Sequence, residues 1–476
     1  MRPLLWFRAD LRTRDHPALS RATRDADRGV IAVFTICPKQ WLAHDLSDAK
    51  ADLILRSLRS LSRDLAKLNI PLLILEHPTF ATSPAALLKL ARTHGCDAIY
   101  FNDELELNER ERDDEVASTF EDAGLEVRRF TDQLVFPPDA IRTKEGRYYS
   151  VFTPFKKAWI ARHKDAEARD EAPTPRPQSE APCDPDPIPD SVRGFEFSNA
   201  KPDLWPAGET HARKRMFTFC QHRISDYKDQ RNLPDAEATS CLSPYLAVGA
   251  LSSLQCVNAA LDVNQNKLDS GAKGASTWIS ELIWREFYRC ILVGFPRVCR
   301  HRPFKPETDR IEWNDNPEHL EAWKQGRTGV PIVDAAMRQL IQTGWMHNRL
   351  RMIAAMFLSK DLFLDWRLGE RHFSRHLIDT DLANNNGGWQ WSASTGVDAA
   401  PYFRIFNPFS QSRKCDPDGS FIRRYVPELR DLDAPEIHDP SALPALARTT
   451  LDYPHPIVDH ARARQHAIEA FKAIKG

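Results

Sequence analysis

The first third of the chain alternates short apolar runs with longer amphipathic stretches. The apolar runs predict β-strands at residues 3–7, 30–36, 70–75, 98–101 and 127–130. Helical patterns lie between some of them, as at residues 51–68, where leucines recur at steps of three and four residues and form one apolar face. Strands and helices that alternate in this way predict a parallel sheet covered by helices.

The sequence after the first predicted strand, RADLRTRD, lacks the G-x-G-x-x-G turn that cradles phosphates in dinucleotide-binding folds. We therefore expect a Rossmann-like fold that need not bind NAD.

A proline-rich stretch at residues 173–189 separates two regions of different pattern. Its prolines are interleaved with acidic residues, which predicts an extended surface connector and not a helix or a central strand. From about residue 209 onward the patterns are helical and rich in tryptophan. The chain is thus predicted to be α/β followed by all-α: an α/β domain at residues 1–132, a connector at 133–208 and a helical domain at 209–476.

Composition excludes several classes of protein. The 65 basic and 66 acidic residues nearly cancel, so the overall charge does not indicate a nucleic-acid partner. Nine cysteines form no CxxC pair, which argues for a reducing compartment and against a zinc module. No apolar run is long enough to cross a bilayer, and we expect a soluble, intracellular protein without a membrane partner.

Residues 278–289, WISELIWREFYR, carry the first candidate chemistry. On a helix, Trp278, Glu281 and Arg285 fall on one face, with Trp284 adjoining it. An exposed ion pair between Glu281 and Arg285 is the plain interpretation, and a ligand pocket flanked by tryptophans is the alternative.

Two further segments have an ordinary and a functional interpretation. Ser243 followed by Pro244 predicts a helix that has Ser243 as its N-cap, and with Thr239 and Ser240 this helix end suits a phosphate or is a plain cap. In WMHNRLRM, Asn348 shares a helix face with Arg351 and Met352, which is either solvated surface or part of a site.

His372 and His376 have the i, i+4 spacing of metal ligands. Without HExxH or a third ligand they are predicted to be helix-surface residues, and we predict no metal.

The segment at residues 379–391, DTDLANNNGGWQW, combines two carboxylates, three amides, a Gly-Gly pair and two tryptophans, with little apolar periodicity. A bound polar, aromatic ligand explains this mixture. The alternative makes Asp379 and Asp381 helix caps and residues 384–388 a turn, but leaves the paired tryptophans unexplained.

Long motifs in a fixed order give the chain a resemblance to a known family. They are WFRADLRTRDHPAL at 6–19, YYSVFTPFKKAW at 148–159, TSCLSPYLAVGALS at 239–252, ELIWREFYR at 281–289, TGVPIVDAAMRQL at 328–340, WMHNRLRM at 345–352 and DTDLANNNGGWQWSASTGVDAAPYFRIFNP at 379–408. Together they resemble the photolyase/cryptochrome family, and most closely its bacterial class I cyclobutane pyrimidine dimer DNA photolyases.

The resemblance implies an N-terminal antenna domain, a long connector and a helical FAD domain. It implies light-driven repair of pyrimidine dimers in UV-damaged DNA, by electron transfer from excited, reduced FAD to the flipped-out lesion. The alternatives are a blue-light-sensing cryptochrome and a (6-4) photolyase; the latter carries His at the place of Met352. By the same resemblance we expect a monomer with no obligate protein partner, cytoplasmic in a bacterium and associated with the nucleoid when bound to DNA.

Site residues follow from the same resemblance. Those around FAD are Tyr227, Thr239, Ser240, Leu242, Ser243, Trp278, Glu281, Arg285, Asn348, Arg351, Asp379, Asp381 and Asn385, with Asn385 facing the flavin N5. Those that line the lesion pocket are Glu281, Trp284, Asn348, Met352 and Trp391. Arg231, Arg349 and Arg404 match positions that contact DNA phosphates, and Trp389, Trp366 and Trp313 match an electron-transfer chain from the surface to the flavin.

An antenna chromophore is implied less directly. His44, Asn108 and Glu109 match positions that hold 5,10-methenyltetrahydrofolate, but Arg300 stands where folate-using members can carry Lys. We expect a folate, with a deazaflavin or an empty site as the alternatives. Cys241 and Asn384 also depart from residues common in relatives.

Overall fold

The structure is a computed structural model that describes residues 1–165 and 170–474. Residues 166–169 of the predicted connector and residues 475–476 of the predicted helical domain lie outside this part. The chain divides into two compact units. The sheet unit comprises Met1–Ser225, Ser240–Pro296 and Ile378–Asp381, and the helical unit comprises Asp226–Thr239, Arg297–Leu377 and Leu382–Gly476. The predicted boundaries at residues 132 and 208 stay predictions.

The sheet unit is built on a parallel sheet. Its strands are β1 (Pro3–Phe7), β2 (Ile31–Ile36), β3 (Leu72–Glu76), β4 (Ala98–Asn102) and β5 (Glu126–Phe130), in the order β3-β2-β1-β4-β5. All neighbouring strands pair in parallel, with Leu4 opposite both Ile31 and Ile99. Every residue of β1, β2 and β4 is buried, which explains their continuous apolar runs. The predicted strands and the parallel sheet are confirmed, with boundaries within two residues.

Helices occupy about half of the rest of the described chain. The first are α1 (Pro17–Asp25), α2 (Pro38–Ala43), α3 (Asp48–Ala66), α4 (Ser83–Thr93), α5 (Leu107–Asp122), α6 (Phe152–Lys164), α7 (Glu209–His222), α8 (Tyr227–Gln230), α9 (Ser243–Ala247), α10 (Ser253–Val263) and α11 (Lys273–Gly294). Those that follow are α12 (Pro317–Lys324), α13 (Pro331–Thr343), α14 (Asn348–Met356), α15 (Trp366–His376), α16 (Leu382–Ala393), α17 (Pro408–Cys415), α18 (Ser420–Tyr425), α19 (Ala434–Ile437), α20 (Ala445–Thr449) and α21 (His460–Ala473).

Helix α3 buries the apolar face that its sequence pattern predicts. Its leucines at three- and four-residue steps, Leu55, Leu58, Leu61 and Leu65, are all buried. Ser47 begins the helix, because its side chain accepts a hydrogen bond from the backbone N–H of Lys50 at 3.0 Å. The predicted helix is confirmed, three residues earlier at its start and two at its end.

The proline-rich connector contains neither helix nor strand between residues 173 and 189, as predicted. Part of it covers the sheet edge at β3. The backbone N–H of Asp186 donates to the carbonyl of Leu72 at 3.0 Å, and the Asp186 carboxylate accepts from the N–H of Ile74 at 2.9 Å. An edge strand covered in this way is protected from pairing with another chain.

Gly249 explains how residues that follow the connector join the sheet unit. It has φ +69°, and a Cβ there would lie 2.0 Å from the carbonyl oxygen of Ala9. Only glycine permits this approach, which brings the carbonyl of Val248 to 3.1 Å from the N–H of Leu11. The α9–α10 region is thereby fastened to the loop after β1.

The helical unit is organised around one large apolar core. In the described part of this unit, strand-like pairing is confined to a single bridge between Asn314 and Leu364. The core contains Trp323, Trp366 and Trp389, with Trp313 packed against it. The prediction of a helical, tryptophan-rich region is confirmed.

Candidate functional site

Helix α11, which lies in the sheet unit, carries the predicted helix face with Trp278, Glu281 and Arg285. Trp278 is buried and its ring packs against Phe219, with centroids 5.0 Å apart. The Arg285 guanidinium donates to the carbonyl of Gln133 at 3.0 Å and to the Ser253 hydroxyl at 2.8 Å, and more weakly to a third neutral oxygen, the carbonyl of Leu246, at 3.4 Å. Burial, followed by the charge of Arg289, lowers the pKa of Arg285 to about 10. A cation whose hydrogen bonds go to neutral oxygens suits an anionic ligand.

Trp284 presents an aromatic surface on the same helix. Its ring stacks on that of Phe152, with centroids 3.6 Å apart and planes 11° apart, and it remains half-buried. Glu281, one turn earlier, is also half-buried.

Residues 378–381 form a short part of the sheet unit. Arg289 donates to the Asp381 carboxylate, and the Lys50 ammonium donates to the carbonyl of Thr380 at 2.7 Å. Asp379 is buried. The alternative that residues 384–388 form a turn is wrong, because they lie inside α16, where both glycines of the Gly-Gly pair are helical.

The hydroxyl-rich segment contains an unusual backbone position. Cys241 has φ +49°, a left-handed conformation uncommon for a residue with a side chain. The prediction of Ser243 as N-cap is wrong by one residue, because the carbonyl of Leu242 accepts the first helical hydrogen bond, from Leu246 at 3.0 Å. Leu242 is buried and Ser243 exposed; Ser240 lies with them in the sheet unit, whereas Thr239 lies in the helical unit.

In the helical unit, α14 arranges the predicted Asn348 face. Asn348 is exposed and Met352 half-buried, and the Arg351 Nε donates to the carbonyl of Met346 at 2.8 Å. His347 caps the helix through Nδ1, which accepts from the N–H of Arg349 at 3.1 Å. Burial, followed by the charges of Arg351 and Arg349, lowers the pKa of His347 to about 4.

Asn385 has a defined side-chain orientation. Its Nδ2 donates to the carbonyl of Glu370 and to the Ser374 hydroxyl, both at 2.9 Å. With both amide hydrogens directed at α15, the Oδ1 atom is the part of the amide that can accept a hydrogen bond from a ligand.

The three tryptophans of the predicted chain lie in one aromatic region. Trp389 and Trp366 are almost fully buried in the core, and Trp313 is partly exposed at its edge. The Trp389 ring lies 4.9 Å from Phe373 and 6.0 Å from Trp323. Its buried indole N–H has no hydrogen-bond partner among the described residues.

The predicted phosphate-contacting arginines have different surroundings. Arg349 is held by Asn232, whose Oδ1 accepts from its Nε and its NH2 at 3.2 and 2.8 Å. The guanidinium of Arg231 lies 5.4 Å from the ring centre of Tyr227, which is largely buried. Arg404 is exposed, and Trp391 is half-buried.

The structure brings the predicted antenna residues of the sheet unit together. His44 Nδ1 lies 3.3 Å from the Glu109 carboxylate, and His44 Nε2 lies 2.9 Å from the Asn108 amide nitrogen and 2.8 Å from that of Gln40. Burial disfavours the protonated form of His44, but the hydrogen bond and charge of Glu109 favour that form more strongly, so the net pKa of His44 is raised. Arg300 is exposed in the helical unit.

The prediction that His372 and His376 lie on a helix surface is wrong for His372. Its side chain is buried against Trp323, with ring centres 5.5 Å apart, because it faces the core and not solvent. Among the described residues no group of three or more His, Cys, Asp or Glu side chains could hold a metal ion. Nor does any helix in the described part of the chain have the length and apolarity to span a membrane.

Sequence reasoning missed several residues that support the site. Arg289, Gln133 and Lys50 hold site residues of the sheet unit, and Asn232 and Glu370 hold those of the helical unit. A signal was present for Arg289, which follows Glu281 by two four-residue steps on the same helix face.

Comparisons with known proteins identify the family of the chain. Residues 3–178 match the family model described as DNA photolyase, and residues 278–473 match that of the FAD binding domain of DNA photolyase. The chain is 45% identical to deoxyribodipyrimidine photo-lyase of Escherichia coli (strain K12), over 99% of this chain and 98% of the relative.

Two solved structures are similar in fold. An archaeal photolyase from Sulfolobus tokodaii, crystallised with two FAD molecules, is 31% identical with a TM-score of 0.79, over 99% of this chain and 100% of that one. The cryptochrome of Synechocystis sp. PCC6803 is 28% identical with a TM-score of 0.83, over 98% of this chain and 99% of that one.

Proposed function

We propose that this chain, which belongs to the photolyase/cryptochrome family, uses light to repair cyclobutane pyrimidine dimers in DNA with reduced FAD as its cofactor. The observation that carries the proposal is its 45% identity, over nearly its whole length, with deoxyribodipyrimidine photo-lyase of Escherichia coli. The reaction splits carbon–carbon bonds, so the enzyme is a lyase.

Each unit carries residues that suit FAD. In the sheet unit, Arg285 offers a cation with neutral partners to the negative charge of the cofactor, and Asp381 is held by Arg289. In the helical unit, the fixed amide of Asn385 offers an acceptor to a protonated flavin nitrogen. The residues that would hold FAD are Tyr227, Thr239, Ser240, Leu242, Ser243, Trp278, Glu281, Arg285, Asn348, Arg351, Asp379, Asp381 and Asn385.

When bound and reduced, FAD would supply one electron to the dimer after excitation by light, and regain it once the cyclobutane ring has opened. Five side chains would hold the lesion after it is flipped out of the duplex. Glu281 and Asn348 offer polar groups, Trp284 and Trp391 offer aromatic faces for stacking, and Met352 offers apolar contact. A damaged base pair is poorly stacked, which lowers the free energy needed to extrude it.

Arg231, Arg349 and Arg404 would bind phosphates of the damaged strand. The guanidinium of Arg349 is already held in place by two hydrogen bonds to Asn232. Contacts of this kind position the DNA without reading its sequence, and they weaken as salt rises.

Trp389, Trp366 and Trp313 would pass electrons inward to an oxidised flavin from a reductant in solution, which is oxidised as the flavin is reduced. Support comes from their placement in and against one core, with Trp313 at its partly exposed edge. Burial of Trp389 and Trp366 keeps water from these rings.

For the antenna we propose 5,10-methenyltetrahydrofolate at His44, Asn108 and Glu109, with Arg300 in place of a lysine. The hydrogen-bonded histidine, amide and carboxylate suit the mixed donors and acceptors of a pterin. A deazaflavin, a second FAD as in the archaeal photolyase, and an empty site are the alternatives. A near-ultraviolet absorption band that is released as folate on denaturation would support the proposal, and flavin bands alone would contradict it.

We further propose a monomer without an obligate protein partner. It would be cytoplasmic and would associate with the nucleoid when bound to damaged DNA.

The test compares two lesions. Chemically reduced protein is illuminated with an oligonucleotide that contains one cyclobutane thymine dimer, and in parallel with one that contains a (6-4) lesion. In each reaction, chromatography separates the repaired oligonucleotide from the damaged one. Loss of the cyclobutane dimer alone is expected, because Met352 occupies the position where (6-4) photolyases carry His. Repair of the (6-4) lesion alone would identify a (6-4) photolyase, and repair of neither would favour the cryptochrome alternative.

A further inference from the structure

Arg289 is a buried cation with an unusual set of partners. Only 3% of its surface is exposed, and its guanidinium donates to the Asp381 carboxylate and to the Gln133 side-chain oxygen. The Glu106 carboxylate lies 3.5 Å from its NH1. Burial disfavours the charged form of Arg289, but the charges of Asp381 and Glu106 favour that form more strongly, so the net pKa of Arg289 is raised. The guanidinium therefore remains charged in the folded protein.

The partner of Arg289 belongs to a short excursion of the chain. Residues Ile378–Asp381 pack in the sheet unit, whereas the residues before and after them pack in the helical unit. Arg289 donates to the Asp381 carboxylate, and Lys50 donates to the backbone carbonyl of Thr380, both within the sheet unit. The first of these contacts holds a side chain, and the second holds the backbone.

We propose that Arg289 is a positioning residue for FAD, which acts by fixing the Asp381 carboxylate without touching the cofactor itself. This inference rests on the proposed function, because it takes Asp381 as a residue that holds the flavin.

The physical reason is the geometry of the guanidinium. One planar fork satisfies Gln133 and Asp381 together, with Glu106 close to the same edge. Lysine keeps the charge but not the fork, so it cannot hold these acceptors in the same arrangement. Without a guanidinium, the Asp381 carboxylate, whose side chain is only 9% exposed, loses its ion pair with Arg289 and the contact that orients it.

The test is a double-mutant cycle on FAD binding by the full-length protein. The dissociation constant is measured by flavin fluorescence for the native protein, Arg289→Gln, Asp381→Asn and the double variant. Circular dichroism reports folding in each case. Arg21→Gln removes an exposed ion pair with Asp25 from another helix of the sheet unit and serves as the matched control.

Each single variant should bind FAD about 10- to 100-fold more weakly, the range seen when outer-shell partners of metal ligands are lost. The double variant should bind no more than about threefold more weakly than Asp381→Asn, because residues that act through one another are not additive. Arg21→Gln should stay within about twofold of the native protein.

Arg289→Lys keeps the test decisive if Arg289→Gln does not fold. It should fold, retain the charge and still bind FAD at least about tenfold more weakly. Two results would overturn the positioning role and leave the proposed function intact. One is that Arg289→Lys binds FAD as tightly as the native protein does, and the other is that the fold-losses of FAD affinity in Arg289→Gln and Asp381→Asn multiply fully in the double variant. A native protein that does not bind FAD would instead overturn the proposed function.

Discussion

Gly369 offers a way to displace Trp389 without changing its chemistry. Gly369 lies in α15, and a Cβ added there would stand 2.0 Å from Cη2 of Trp389 and 2.5 Å from Cζ3. Carbon atoms in contact are normally about 3.5–4.0 Å apart, so in Gly369→Ala the indole must move by about 1.5 Å or more.

The surroundings of Trp389 oppose that movement. The side chain is 2% exposed, and Phe373 and Trp323 pack against its ring. Overpacking of a filled core destabilises by about 1–3 kcal/mol. Replacing a helical glycine by alanine stabilises the folded state by about 1 kcal/mol, because alanine has the higher helix propensity. The net change for Gly369→Ala is therefore a destabilisation of up to about 2 kcal/mol.

Gly388→Ala is the matched control. Gly388 lies in α16, is exposed, and a Cβ there would meet nothing within 4 Å. The same substitution should therefore stabilise the protein by about 0.5–1 kcal/mol.

Thermal unfolding followed by circular dichroism compares the two variants. A change of 1 kcal/mol shifts Tm by about 2–4 °C for a unit of roughly 150–250 residues. We expect Tm to fall in Gly369→Ala and to rise in Gly388→Ala, and photoreduction of oxidised FAD to slow only in Gly369→Ala. A Gly369→Ala protein as stable as Gly388→Ala would refute the packing that we describe around Trp389.

Three further predictions follow from the site. Trp389→Phe should abolish photoreduction of oxidised FAD but leave repair by chemically reduced protein largely intact; normal photoreduction measured by absorption would exclude the relay. The pKa of His347 falls from 6.5 to about 4 on folding, so only the unfolded state takes up a proton between these values. Stability should therefore drop by about 3 kcal/mol as pH falls from 6.5 to 4, and Tm of His347→Gln should depend less on pH in that window. Arg349→Ala should weaken binding of DNA containing the dimer and reduce the slope of log Kobs against log salt by about one, whereas an unchanged slope would exclude a phosphate contact.

The sequence was sufficient for the sheet because burial on both faces produces continuous apolar runs. The strands at residues 3–7 and 98–102 are fully buried and were predicted within one residue. The position of Ser243 was less predictable, because the helix start depends on the backbone of Leu242, which is already helical with ψ −7°. Side-chain chemistry at that cap favours serine, but the chain geometry places the cap one residue earlier.

Packing partners distant in the chain account for the other differences. His372 has the spacing of a surface residue, yet it faces Trp323, 49 positions earlier in the sequence, and no local pattern indicates that neighbour. The glycines at 387 and 388 suggest a turn, but both lie in α16, where Asn385 and Asn386 bond to Glu370 of α15.

The candidate site was predictable in outline because its motifs are long and ordered. What the sequence did not indicate is which side chains hold the site residues in place. Gln133 and Lys50 are far in sequence from residues 378–381, and their roles depend on how the sheet unit folds. Asn385 was expected to face the flavin, but the fixed direction of its amide follows only from contacts with Glu370 and Ser374.

The central claim is tested most directly by counting thymine dimers repaired per molecule of protein. Chemically reduced, full-length protein is mixed with an excess of an oligonucleotide that carries one cyclobutane thymine dimer, and dimer loss is followed under blue light and in darkness. We predict that each protein molecule repairs several dimers under light and none in darkness. An intact dimer after illumination of reduced, FAD-loaded protein, or equal loss in darkness, would contradict light-driven repair.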